Sequence, residues 1–182
     1  MKPEKRLNLW LELAVIFISV LCLMLLVYLV VVLSFQSGDK SASETMSIAA
    51  RIAQSIYDNP TDTQVAAVSL MLRYFAHLAL FFVVGFVTTF VSMVIFRKYF
   101  RILGVLASGW ACYMLAYYTE YYKQYIDGRH FQMTDVKLNW YGSIAGICCM
   151  VVSYFMNKIL VKLSTQSQQV PSSLDKSSKK EG

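Results

Sequence analysis

The run Leu13–Leu33, LAVIFISVLCLMLLVYLVVVL, decides the fold class. It holds no charge, and Ser19 is its only conventional polar residue. A helix needs about 20 apolar residues to cross roughly 30 Å of hydrocarbon. This run is too long for the core of a signal peptide, and the SFQSGDK after it offers no small-x-small cleavage site, so it reads as a retained membrane span. With its flanks it covers about 13–35, and three similar runs follow at about 70–96, 102–119 and 138–160. Pro3, Pro60 and Pro171 all fall outside the runs, as uninterrupted helices prefer. A content of 57% hydrophobic against 15% charged residues points the same way, toward a bilayer as solvent. The predicted fold is all-α: a polytopic membrane protein with four transmembrane helices in an antiparallel bundle.

Basic residues set the predicted orientation, because short cytoplasmic segments favour them. With both termini cytoplasmic, eleven of the 17 basic residues but only four of the 11 acidic ones lie inside. The net charge of +6 is therefore a topology signal. It does not point to nucleic acid, since the cations are divided between two termini and one tight turn, FRKYFR. This gives a cytoplasmic N-terminus at 1–12, a membrane domain at 13–163 and a Ser-, Gln- and Lys-rich tail at 164–182 whose composition predicts disorder. Cys22, Cys112, Cys148 and Cys149 all lie in apolar runs and are expected to pack as small hydrophobes.

Two connections face outward on this reading. Residues 36–69 are long enough to demand structure of their own, and SASETMSIAARIAQSIYDNP supplies it. Ser41 and Ser43 are candidate caps, and Met46, Ala49, Ala50, Ile52, Ala53 and Ile56 fall mostly on one side. A short amphipathic helix over 43–57 follows, either a lid on the bundle or a surface helix. The second connection, from Glu120 to Lys137, mixes polar and aromatic residues, and Tyr113, Tyr117, Tyr118, Tyr121, Tyr122 and Tyr125 before and within it read as an interfacial belt.

Ionisable groups are costly in hydrocarbon, so those at span ends are candidates for function. Here they share one end. Arg73 and His77 stand i, i+4 on the second span, Glu120 closes the third, and Asp135, Asn139, Gly142 and Gly146 form one stripe at the start of the fourth. Gly85, Gly142 and Gly146 are the candidate positions for close helix packing. Arg73, His77, Glu120, Lys123, Arg129, Asp135 and Asn139 are the candidate ligand-binding residues, and His77, Glu120 and Asp135 the candidates for any catalysis. Simpler roles compete with these. Lys123, Arg129 and Arg73 can snorkel to lipid phosphates. Glu120 with Arg129, or Asp135 with Arg73, can serve as structural ion pairs, and His77 can hydrogen-bond Glu120 or a backbone carbonyl. His77, Glu120 and Asp135 are the residues that could form a divalent-metal site, but no metal is expected, because the chain lacks a His-x3-His or Asp-rich spacing. No cofactor is expected either, in the absence of a phosphate-binding loop or nucleophile elbow.

These residues resemble a family. RYFAHLALFFVVG over 73–85, followed by Glu120, Arg129, Asp135, Asn139, Gly142 and Gly146 at the spacing E-x8-R-x5-D-x3-N-x2-G-x3-G, is similar to the VanZ-like family. The resemblance extends over about 34–150 and includes the Ser-rich SFQSGDKSASETM. The chain departs from the family pattern at four places. Leu80 stands where a Glu is common and Lys123 where a Gln is common, while Tyr74 and Thr119 replace a usual Lys and Asp. The resemblance implies a multi-pass protein of the bacterial plasma membrane, with relatives associated with low-level resistance to teicoplanin and related lipoglycopeptides.

Two functions follow as expectations. The first is binding of an anionic lipid or a lipid-linked cell-wall intermediate at the outer face, with an effect on glycopeptide susceptibility. The second is a membrane-embedded enzyme acting on a lipid phosphate or acyl bond through His77 with Glu120 or Asp135. The reduced number of carboxylates favours the first. Membrane lipids are the expected partners, and a homodimer is compatible with the sequence.

Overall fold

The computed structural model describes residues 3–35, 38–96 and 101–178. Regular structure among them is helical throughout: α1 (Pro3–Ser34), α2 (Gly38–Ile56), α3 (Asp62–Ile95), α4 (Arg101–Lys123) and α5 (Met133–Ser178). Four stretches are long and apolar enough to cross a membrane, Leu13–Ser34, Asp62–Ile95, Arg101–Lys123 and Met133–Gln166. They contain the four predicted runs almost entirely. Successive spans alternate in direction, so α3 and α5 run parallel. Their starts meet the ends of α1 and α4 at one end of the bundle, the loop end.

The helices outrun the apolar stretches. The α3 helix begins at Asp62, well before Leu70, because Thr61 and Gln64 form a capping box. The Thr61 amide donates to Gln64 Oε1 at 2.9 Å and the Gln64 amide to Thr61 Oγ1 at 3.4 Å, so two amides of the first turn are satisfied locally. The connection between the first two spans is correspondingly shorter than expected. The α2 helix starts at Gly38, which places Ser41 and Ser43 inside it and not at its cap. Ala49 and Ala53, one turn apart, are fully buried, while Met46 and Ile56 remain exposed. Among the described residues α2 packs on α3 alone, so small side chains mediate that contact. At the other terminus α5 stays helical through 164–178, where the composition predicts disorder. Ser164 and Thr165 return their hydroxyls to the Val161 carbonyl, each at 2.9 Å, and so provide no stop signal. Within FRKYFR, residues 97–100 lie outside the described residues.

The most extensive contact is between α3 and α5. Three glycines explain it. A Cβ on Gly85 would collide with the Ser143 carbonyl, one on Gly142 with the Leu78 carbonyl, and one on Gly146 with the Phe82 carbonyl. Without side chains there, the two backbones touch directly, as small residues allow in a bilayer. Beside this seam, Phe81 and Val84 of α3 pack with Cys112 and Ala116 of α4 and Val30 of α1. The α1 helix is held least, with Val30 its buried hydrophobic residue and Phe17, Met24, Leu25 and Tyr28 turned outward. Of the cysteines, Cys112 alone is buried, and all four are free thiols.

Candidate functional site

The parallel seam continues upward into a polar ladder at the loop end. Arg73 on α3 donates from Nη2 to Asp135 Oδ2 on α5 at 2.6 Å, the short length expected of a charge-assisted bond. One turn below, His77 Nδ1 pairs with Asn139 Oδ1 at 2.9 Å. Both rungs join residues 62 apart in sequence, so the i, i+4 spacing on one helix is matched by the same spacing on its neighbour. Asp135 sits in the first turn of α5, where the helix dipole favours a carboxylate. Arg73 also donates to Gln132 at 3.2 Å. The Arg73 side chain stays 42% exposed, against 1% for the Asp135 side chain.

The α4 helix contributes a second ion pair. Lys123 Nζ bonds Glu120 Oε1 one turn away, and both side chains are almost fully buried. The sequence suggested Arg129 as the partner of Glu120, but Lys123 takes that place. Arg129 instead lines a cavity, and its Nε has no hydrogen-bond partner among the described residues. Burial, then the neighbouring Arg73, lowers the pKa of the Arg129 guanidinium, while Glu120 and Asp135 raise it. Its ordinary value is so high that it remains a cation.

The cavity measures about 870 Å³. Arg73, His77, Lys123, Arg129, His130 and Gln132 form its polar wall, and Leu33, Met46, Ile48, Leu80 and Phe81 its apolar one. Glu44 of α2 also reaches it. Glu120, Asp135 and Asn139 lie behind the polar wall, each 1% exposed. All seven predicted ligand-binding residues thus gather at the loop end, with four in the cavity wall and three supporting them. Gln132 was missed by the sequence reading. Its signal was its place one turn before Asp135, where it can share the same guanidinium.

His77 is held on both sides of its ring. Nδ1 meets Asn139, and Nε2 lies 3.5 Å from Asp135 Oδ2. His77, Glu120 and Asp135 also present ligand-capable atoms within 4.8 Å of one another. They come from three separate helices, so no local spacing reveals the group. A smaller apolar hollow of about 400 Å³ opens between α1 and α4, lined by Leu23, Val27, Val84, Thr88 and Cys112.

The family model described as VanZ/LLP1 matches residues 17–156 of the chain. No curated protein and no solved structure gives a significant match.

Proposed function

The chain belongs to the VanZ-like family, and from that premise we propose that its loop end faces the outer side of a bacterial plasma membrane and binds the anionic headgroup of a lipid or lipid-linked cell-wall intermediate. The observation that carries this reading is the two-walled cavity. Three cations, Arg73, Lys123 and Arg129, line one side and aliphatic and aromatic side chains the other, a combination suited to an amphiphile with a phosphate at its polar end. Arginine matches phosphate because its planar donors bind two oxygens together. The Arg129 Nε is a buried donor without a hydrogen-bond partner among the described residues, at the edge of this cavity. Orientation rests on the excess of basic residues at the opposite end.

Asn139 engages His77 Nδ1, and the Asp135 carboxylate stands 3.5 Å from Nε2. This arrangement supports binding over general acid–base catalysis. By occupying a cell-wall intermediate, the protein would change the access of a glycopeptide to its target. Native mass spectrometry of the purified protein tests the binding step. Wild type is expected to retain an anionic lipid that Arg73→Ala and Arg129→Ala retain less well. An absence of retained lipid, or equal retention by all three proteins, overturns the reading.

A further inference from the structure

We propose that His77, Glu120 and Asp135 form a site for a divalent first-row transition ion, with Zn²⁺ the best match. Each of the two carboxylates commits one oxygen to a cationic side chain, Glu120 Oε1 to Lys123 and Asp135 Oδ2 to Arg73. The other oxygens, Glu120 Oε2 and Asp135 Oδ1, are buried and have no hydrogen-bond partner among the described residues. Buried polar atoms are nearly always satisfied, so two such acceptors call for a donor or a cation.

His77 adds a third. With Asn139 Oδ1 accepting at Nδ1, the neutral ring carries its proton there and turns the lone pair of Nε2 toward Asp135, 3.5 Å away. Nε2 is thereby left as an electron-pair donor beside the Asp135 carboxylate, whose unpartnered Oδ1 is the oxygen a metal ion would share with it. Ligand-capable atoms of all three residues lie within 4.8 Å of one another. Around a tetrahedral Zn²⁺ at about 2.0–2.1 Å, neighbouring ligand atoms stand about 3.4 Å apart, so a side-chain shift of little more than 1 Å suffices. One imidazole and two carboxylates suit Zn²⁺, with Mn²⁺ second, and leave a fourth position open.

The surrounding groups already resemble the outer shell of a metal site. Asn139 fixes the tautomer of His77, while Lys123 and Arg73 orient the carboxylates by the oxygens that a metal would not use. Lys123 and Arg73 are also positive, and this like charge moderates the affinity. The site is separate from the headgroup reading, because Glu120 and Asp135 lie behind the cavity wall that His77 lines, and none of the three is among the cations of that reading.

The test is equilibrium dialysis of the purified full-length protein in detergent against Zn²⁺ and, separately, Mn²⁺, with metal content read by elemental analysis. Wild type is expected to bind one Zn²⁺ per chain more tightly than Mn²⁺. Glu120→Gln and Asp135→Asn are each expected to weaken Zn²⁺ by at least roughly 100-fold, the upper end of what losing an outer-shell partner costs. Lys123→Gln, which removes a neighbouring positive charge, is expected to tighten it by on the order of tenfold. Zn²⁺ that survives Glu120→Gln resides at other donors and overturns the proposal. Failure of both wild type and Lys123→Gln to hold either ion, while both elute as monodisperse protein, overturns it as well.

Discussion

The α3–α5 seam and α1 are built from similarly apolar sequence, yet one is the tightest contact of the bundle and the other the loosest. A third of the most apolar window of α3 is buried, against 6% for α1. What separates them is side-chain size and polarity. The seam places Gly85, Gly142 and Gly146 where backbones meet and closes its loop end with the Arg73–Asp135 and His77–Asn139 rungs, whereas α1 offers large aliphatic and aromatic residues to its surroundings. Lipid tails are as apolar as leucine, so hydrophobicity carries a helix into the bilayer without attaching it to a neighbour.

The contrast can be broken most forcefully at the polar end. Glu120→Ala strands the Lys123 ammonium in a buried site and should destabilise the protein by about 3–5 kcal/mol, read as a shift in the denaturation midpoint in detergent. Replacing Lys123 by Met in the same variant should recover much of that loss. Gly146→Val forces a side chain into the Phe82 carbonyl and is expected to cost about 3 kcal/mol, with a loss of monodisperse protein on size exclusion. Thr61→Ala removes the capping box that starts α3 ahead of its apolar stretch, an effect of about 1 kcal/mol. Leu25→Ala on α1 sharpens the comparison from the other side. Its side chain is 67% exposed, so the change should stay within about 0.5 kcal/mol. A loss several times larger would show that α1 meets a second copy of the chain, the homodimer compatible with the sequence.

The sequence made the spans legible because charge-free length is a local property, complete within each run. It made the loop end legible too, since Arg73 with His77 and Asp135 with Asn139 are separated by one helical turn whatever their partners. Pairings were less accessible. Lys123 stands i, i+3 from Glu120 on one helix, a pairing open to spacing, but the choice between it and Arg129 depends on where the 124–132 connection carries Arg129, which spacing does not encode. Asp135 with Arg73 was foreseen because both stand at the same depth on helices that begin at the same end. The start of α3 was missed for a different reason: its first turns are polar, so hydropathy ends at Leu70 while the Thr61 cap carries the backbone on to Asp62.

The ladder at the loop end also has a history within each round of synthesis. Arg73 and Asp135 are 62 residues apart, with α4 between them. At a translation rate of about 5–20 residues per second, the guanidinium emerges about 3 to 12 s before its carboxylate does. During that interval α3 waits at the membrane with its cation facing lipid phosphates or water, and the close-packed partner arrives only with the last span. The most extensive contact of the finished bundle is thus one that cannot form until α5 has been made.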